Sequence, residues 1–246
     1  MSLNIIGKCC MEQIYKALEA CERMRKVSLI RSDRKRVFGD YGKPVTYTCA
    51  GVQVSRNSLE IFDFPRYMDK LPSHHWEALT WIMRRAEMCF QDLADHQVVS
   101  HMWNAKAAVP FKTMSLFNHT TQPSCKYYGG LAFGCNVFLR CHTDQDFTMS
   151  IVQIFVKGKY TYRIDDDVIV YFCFPTLGVA VPMRPGDFLI FNARIPHCIS
   201  SWSHAADNIM CISIFLKTSV VGGNDNHYEW TETQEYISDS FRKLYL

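Results

Sequence analysis

The chain has 246 residues and a formal net charge of +3, with 48% apolar and 21% charged residues. This composition is that of an ordinary folded globular protein, so a disordered or fibrous chain is excluded. No apolar run is long enough to cross a membrane. The 11 cysteines are irregularly spaced and no N-terminal stretch resembles a signal peptide, which predicts a reducing intracellular compartment.

The first part of the chain predicts helices and short strands. Residues 11–26 place apolar side chains at helical spacing, which indicates an amphipathic helix. Two short strands are predicted between Tyr47 and Phe64. Ser73 can cap a longer helix that reaches Asp95. Its apolar side chains recur at intervals of three and four and predict a face packed in the core: Trp76, Leu79, Met83, Ala86, Phe90 and Leu93.

From about residue 134 the pattern becomes that of β-strands. Runs rich in β-branched and aromatic residues predict strands at residues 134–141, 149–156, 178–183, 187–191 and 208–215. The turn Arg184-Pro-Gly-Asp187 joins the third of these runs to the fourth, because Pro185 presets φ and Gly186 accepts a positive φ. We therefore expect a hairpin at this turn.

Three residues have the pattern of a metal site. Residues two apart on a strand project to the same face, so His142 and Asp144 can offer ligand atoms to one point in space. His197 can complete the set from a facing strand. Two histidines and a carboxylate on one face of a metal leave other positions open, as non-haem Fe(II) oxygenases require. A hydrogen-bonded surface turn is the alternative for a His-x-Asp motif taken alone.

This order of features resembles the catalytic core of the TET/JBP family of Fe(II)- and 2-oxoglutarate-dependent nucleobase dioxygenases. The resemblance covers residues 141–217, and its elements are His142-Thr-Asp144, the strand and hairpin around Tyr160-Thr-Tyr-Arg163, Arg184–Phe191, Pro196-His197 and Asn208–Phe215. It implies an α+β fold with a double-stranded β-helix (jelly-roll) core and N-terminal helices packed on one sheet. We expect one integrated domain composed of N-terminal elements (1–110), the catalytic core (111–221) and a C-terminal extension (222–246).

The resemblance also implies a reaction. Fe(II), O2 and 2-oxoglutarate would hydroxylate the methyl group of 5-methylcytosine or thymine in DNA. Asp146 lies near the position at which the family reads the base edge with an acidic residue, one residue short of that spacing. Aromatic residues on loops near the metal could either sandwich a flipped base or belong to the core: Tyr127, Tyr128, Phe147 and Trp202.

The co-substrate site departs from the family pattern. Members carry an arginine at the start of the strand after the distal histidine, where it pairs with the far carboxylate of 2-oxoglutarate. Here no arginine lies between His197 and Arg242, and the matching position falls near Asn208. Lys217 on the same strand and Arg140, which shares strand parity with His142, are the other candidates. If neither cation reaches the carboxylate, a less charged co-substrate such as ascorbate is expected.

A basic segment bears on partners and location. Residues 23–36 contain Arg23, Arg25, Lys26, Arg31, Arg34, Lys35 and Arg36 against the single acid Asp33. Such a cluster can neutralise phosphates or act as a nuclear address, and an ordinary solvated surface is the alternative. Two other functions share the metal pattern: hydroxylation of a protein side chain or small metabolite, and ligand binding by a jelly-roll without catalysis.

Overall fold

The computed structural model describes residue 14 and residues 16–23, 46–54, 61–64, 73–107, 126–135, 141–156, 168–201 and 209–221. Its helices are α1 (16–23), α2 (Ser73–Leu93), α3 (His96–Ala107) and α4 (Thr218–Val221). Its strands are β1 (Thr46–Val54), β2 (Ile61–Phe64), β3 (Gly130–Cys135), β4 (Met149–Val156), β5 (Val170–Phe174), β6 (Val179–Met183), β7 (Phe188–Asn192), β8 (Cys198–Ser201) and β9 (Ile209–Phe215). No helix among these residues is long and apolar enough to cross a membrane.

The strands form two antiparallel sheets. The larger sheet has the order β2-β1-β3-β9-β4-β7, and the smaller sheet has the order β6-β5-β8. An isolated antiparallel bridge joins His142 to His197, the residue directly before β8. The predicted α+β jelly-roll core is confirmed.

Alternation along the central strands creates two cores. On β4, Ile151 and Phe155 face the cluster that includes the helices, whereas Val152 and Ile154 face the smaller sheet. Because neither face of β4 is left to solvent, its sequence Met-Ser-Ile-Val-Gln-Ile-Phe-Val is apolar at nearly every position. The predicted bounds of this strand, 149–156, are confirmed.

Helix α2 packs in the core through four of the six predicted stripe residues, and the side chain of Trp76 lies outside the described part of the structure. Leu79, Met83, Ala86 and Phe90 are all buried, while Leu93 at the end of the helix is exposed. Glu87 on the same buried face has a specific partner. Its carboxylate accepts hydrogen bonds from the backbone N–H groups of residues 126, 127 and 128 at 2.9, 2.7 and 3.1 Å. These bonds fix the approach to β3.

The predicted hairpin at Arg184–Asp187 is wrong, although the turn itself is present. Gly186 has φ +87°, and the Asp187 N–H donates to the Arg184 carbonyl at 3.0 Å. The strands on either side of this turn belong to different sheets, since β6 pairs with β5 and β7 pairs with β4. Turn chemistry specifies a reversal of the chain but not which partner each strand then finds.

One predicted strand has different bounds in the structure, and several other predicted features lie on residues that the structure does not describe. The predicted strand 134–141 overlaps β3, which begins earlier, at Gly130. The hairpin around 160–163, the basic segment beyond Arg23 and three predicted site residues, Arg140, Trp202 and Asn208, lie outside the described residues.

Candidate metal centre

Backbone pairing brings the three predicted ligands together. The N–H of His142 donates to the carbonyl of His197 at 3.0 Å, and the N–H of His197 donates back at 2.9 Å. The N–H of Asp144 donates to the carbonyl of Ala193 at 2.8 Å, on the turn that leads to His197. The ligands are therefore held by sheet-like contacts between two segments that lie about 50 residues apart in the sequence.

The ligand atoms converge. One ligand atom from each of His142, Asp144 and His197 lies within 4.8 Å of the other two. Oδ2 of Asp144 lies 3.8 Å from Nε2 of His142 and 3.6 Å from Nε2 of His197. A metal ion bound about 2.1 Å from each atom would separate the ligands by roughly 3 to 3.5 Å, so small side-chain movements suffice. The two imidazoles and one carboxylate match the donor set of non-haem Fe(II).

The ring of His197 is held in the orientation that a ligand needs. Its Nδ1 lies 2.8 Å from the carbonyl oxygen of Ile195, which can accept a proton only from an Nδ1–H group. Nε2, the other ring nitrogen, lies on the side of Asp144, where it is placed to bind a metal. Phe172 stacks on the ring at 5.4 Å and Phe191 contacts it edge-on at 4.9 Å. The ring of His197 is thus held by a hydrogen bond at Nδ1 and by contacts with two aromatic rings.

The local charges keep Asp144 ionised. Burial acts to raise its pKa, but the hydrogen bond with His197 and the charges of Lys217 and the two histidines outweigh that effect. The pKa of Asp144 therefore lies below its ordinary value, and the deprotonated form is the one that binds a metal.

The site opens on one side. The side chain of His197 is 2% exposed, whereas those of His142 and Asp144 are 20% and 39% exposed. A metal held here would be enclosed by the inter-sheet core behind His197 and accessible from the side of Asp144. A small co-substrate could enter from that direction.

Asp146 and Lys217, two other predicted site residues, bind each other. The Lys217 ammonium donates to Oδ1 of Asp146, and the Ser150 hydroxyl donates to Oδ2 at 2.8 Å. Asp146 is buried, and burial raises its pKa despite the opposing charge of Lys217. Lys217 also lies over the ring of Phe215, 4.5 Å from its centroid.

Lys217 lies beside the segment that carries the candidate ligands. The backbone bridge between Asp146 and Lys217 places the end of β9 next to that segment. Asn208, the other candidate at β9, lies outside the described residues.

Arg194 was not predicted as a site residue, and it lies beside the segment that carries Asp144 and Asp146. Its Nε donates to the backbone oxygen of Asp146 at 3.3 Å, and its Nη2 donates to the hydroxyl of Thr218 at 3.0 Å. The sequence search for a cation considered the chain after His197, whereas Arg194 lies three residues before it. A basic residue on the turn that leads to His197 was the sequence feature from which this cation could have been predicted.

The proposed base sandwich is wrong for three of its four aromatics. Tyr127, Tyr128 and Phe147 are 5%, 0% and 2% exposed and belong to the core beneath the helices. Tyr127 and Tyr128 meet Phe90 edge-on, with ring centroids 5.4 and 5.5 Å apart. The alternative interpretation, core packing, holds for these residues.

Comparison with known proteins finds similarity in fold. No family model and no curated protein matches the sequence. A solved structure of NgTET1 in complex with 5mC DNA is similar over 96% of this chain and 78% of its own, with TM-score 0.53 and 15% identity. A Pseudomonas putida prolyl-4-hydroxylase matches over 86% and 88%, with TM-score 0.41 and 11% identity. An RmlC-like cupin from Desulfovibrio desulfuricans matches over 35% and 70%, with TM-score 0.25 and 11% identity. The likeness to NgTET1 shows a shared jelly-roll fold.

Proposed function

We propose that this protein is a non-haem Fe(II)-dependent oxygenase whose metal is held by His142, Asp144 and His197. The observation that carries the proposal is the convergence of their three ligand atoms within 4.8 Å at the open side of a jelly-roll. Bound Fe(II) would supply the activation of O2. The protein's part is ligation, orientation and the exclusion of water.

The surrounding residues suit those tasks. The Ile195 carbonyl fixes the tautomer of His197, and the low pKa of Asp144 keeps its carboxylate available to a cation. Phe172 and Phe191 close the inner side of the site with apolar surface. The exposed side of Asp144 leaves an approach for a co-substrate and a substrate.

For the co-substrate we propose 2-oxoglutarate, with Lys217 as the cation for a carboxylate. A second negative charge in a partly buried site costs several kcal/mol unless a cation pairs with it. Lys217 is 28% exposed and bound to Asp146, so a co-substrate carboxylate would share or displace that contact. Arg140 and Asn208 stay alternatives on sequence grounds, and ascorbate stays the alternative co-substrate.

Succinate release distinguishes these cases. We expect wild-type protein with Fe(II) to release succinate from 2-oxoglutarate and the Lys217→Ala variant to lose that turnover. Lys16→Ala, an exposed lysine on α1, is the matched control and should retain it. Ascorbate consumption without succinate would identify ascorbate as the co-substrate. Robust succinate from a variant lacking both Lys217 and Arg140 would show that neither residue holds the carboxylate.

For the substrate we propose the methyl group of 5-methylcytosine or thymine in DNA. The fold is similar to that of NgTET1, whose solved structure contains 5mC DNA. The basic segment at residues 23–36 would supply phosphate contacts and is compatible with a nuclear location. We propose that Asp146 contributes to base recognition only when Lys217 releases its carboxylate, since both oxygens are otherwise engaged.

The test is oxidation of defined DNA. Duplexes carrying 5-methylcytosine, thymine alone or neither are incubated with Fe(II), O2 and co-substrate, and the nucleosides are measured by mass spectrometry. We expect a hydroxymethyl product that the Asp144→Ala variant does not form. O2 consumption that DNA neither stimulates nor inhibits would favour a protein or metabolite substrate. Absence of O2 consumption with any carboxylate or reductant would favour a binding module.

The DNA contact has its own test. Replacing Arg34, Lys35 and Arg36 with Gln should weaken DNA binding and flatten its dependence on salt, because each lost phosphate contact removes counterion release. Unchanged affinity across a salt titration would assign the segment to targeting or solubility.

A further inference from the structure

Three cysteines lie on β5, on β8 and on the segment that is bridged to His197. Cys198 on β8 is the register partner of Cys173 on β5. In the antiparallel register that the bridge between His142 and His197 sets, Cys141 is the residue expected opposite Cys198. Directly opposed residues of antiparallel strands lie on the same face with neighbouring Cβ atoms. Cys141, Cys198 and Cys173 therefore form one row, here called the thiol row.

The thiol row lies on the face opposite the metal ligands. His197 stacks on Phe172, and both are buried between the sheets. Since successive strand residues alternate between faces, the neighbouring cysteines point outwards. Their exposure agrees with this orientation, because Cys141 is exposed and Cys173 and Cys198 are partly exposed. All three are free thiols.

Backbone hydrogen bonding distinguishes the two neighbours of Cys198. His142 and His197 exchange both N–H to carbonyl bonds, so they form a hydrogen-bonded pair. The next pair, Cys141 with Cys198, is then a non-hydrogen-bonded pair, for which the Cα separation is about 4.5 Å. Because successive residues direct their backbone groups to opposite edges of a strand, Cys198 and Cys173 are expected to form a hydrogen-bonded pair, for which the Cα separation is about 5.5 Å. Both values fall within the roughly 4.4 to 6.8 Å that disulfides span.

We propose that Cys141 and Cys198 are an oxidative modification site that forms a cross-strand disulfide in the presence of hydrogen peroxide. Cys141 is the more exposed thiol of this pair, so peroxide reaches it first. The O–O bond breaks, one oxygen is transferred to the Cys141 sulfur as a sulfenic acid, and water leaves. The Cys198 sulfur then bonds to the Cys141 sulfur, and the released hydroxyl takes the Cys198 proton and leaves as a second water. The two thiols lose two electrons in total, and peroxide is reduced to two waters.

The disulfide would join the segment of His142 to the segment of His197 directly behind the candidate metal centre. The cross-link does not depend on the oxygenase proposal, since it rests on the register and exposure of the cysteines. It would restrict the unfolded chain by closing the loop between residues 141 and 198, so the oxidised protein should unfold at a higher temperature.

The test uses metal-free, fully reduced protein treated with hydrogen peroxide, then alkylated and digested for peptide mapping by mass spectrometry. We expect a Cys141–Cys198 linked peptide as the main product and a Tm increase on the order of 5 °C that a reductant reverses. Cys173→Ser should retain the link. Cys198→Ser should prevent it and leave Cys141 as a sulfenic acid that a dimedone reagent traps.

Other products would overturn the proposal. These are a main cross-link between Cys198 and Cys173, a cross-link that bypasses Cys198, or oxidised Cys141 without any disulfide in folded wild-type protein. Buried Cys211, whose pKa burial raises to about 12, is the internal reference and should be alkylated only after unfolding.

Discussion

Two charged clusters arise from the same short segment of the chain and differ in what they can do. Asp144 joins His142 and His197 with its side chain 39% exposed, whereas Asp146 joins Lys217 with its side chain 3% exposed. The pKa of Asp144 is lowered and that of Asp146 is raised. In Asp146 both carboxylate oxygens are engaged, by Lys217 and Ser150.

The difference shows that burial and neighbouring charges determine what each of two aspartate side chains can bind. A carboxylate that faces two imidazoles and remains accessible is suited to bind a cation from solution. A carboxylate that is buried against an ammonium group already has its cation and acts as a structural contact. The same residue type two positions apart is therefore suited to ligation in one case and to a structural contact in the other.

Loss of a metal ligand should have the largest effect. Replacing His142, Asp144 or His197 with Ala removes one of three protein ligands, so we expect Fe(II) or Co(II) affinity to fall by at least about 100-fold. An anaerobic titration followed by absorption spectroscopy measures this change. Asp146→Asn is the control and should stay within about tenfold of wild type, because Asp146 belongs to the other cluster. If the His197→Ala variant bound the metal with wild-type affinity, the metal site would have to lie elsewhere.

Breaking the buried ion pair should mainly affect stability. Asp146→Ala leaves the Lys217 ammonium without its carboxylate, and we expect the free energy of unfolding to fall by about 2 to 4 kcal/mol. Urea denaturation measures the loss. The double variant Asp146→Asn with Lys217→Met removes both charges and should recover most of it. A loss in the double variant equal to the sum of the losses in the two single variants would mean that the two side chains contribute independently.

The two aspartates should respond to pH in opposite directions. A lowered folded-state pKa means that Asp144 contributes stability above the pKa of an unfolded aspartate, and that this contribution is lost as pH falls through its folded value. A raised folded-state pKa means that Asp146 favours the fold when protonated, and that this contribution is lost as pH rises through its folded value. Carboxyl NMR titration of the metal-free protein should place Asp144 below and Asp146 above an ordinary aspartate. The reverse order would contradict the assigned roles.

The smallest effect is expected at Arg194. Arg194→Lys keeps the charge but loses the geometry of the bonds to the Asp146 backbone and the Thr218 hydroxyl, which should cost about 1 kcal/mol of unfolding free energy. Thermal denaturation should show a Tm decrease of about 2 to 4 °C. Thr218→Val removes only one of these bonds and should lower the Tm less. A large loss of metal affinity in Arg194→Lys would show that this residue supports the triad directly.

The grouping of the candidate ligands and the main secondary structure were predictable because each depends on local pattern. Strand parity predicted that His142 and Asp144 share one face, and their ligand atoms do converge, although residues 143–145 are not part of a strand. The apolar stripe of α2 and the continuous apolar run of β4 can likewise be recognised within their own segments. His197 was selected from its spacing to the strands and turn that precede it, and the structure places it against the other two candidate ligands.

Contacts between residues far apart in the sequence could not be predicted from local sequence pattern. The partners of β6 and β7, the bond between Lys217 and Asp146, the position of Arg194 and the alignment of Cys141, Cys198 and Cys173 all depend on which strand lies beside which, and in what register. Many registers are compatible with the same alternation of apolar and polar residues, and only the simultaneous burial of both faces of the larger sheet selects one. The sequence thus determined the chemistry of the candidate metal site, whereas the tertiary structure decided which charges and thiols surround it.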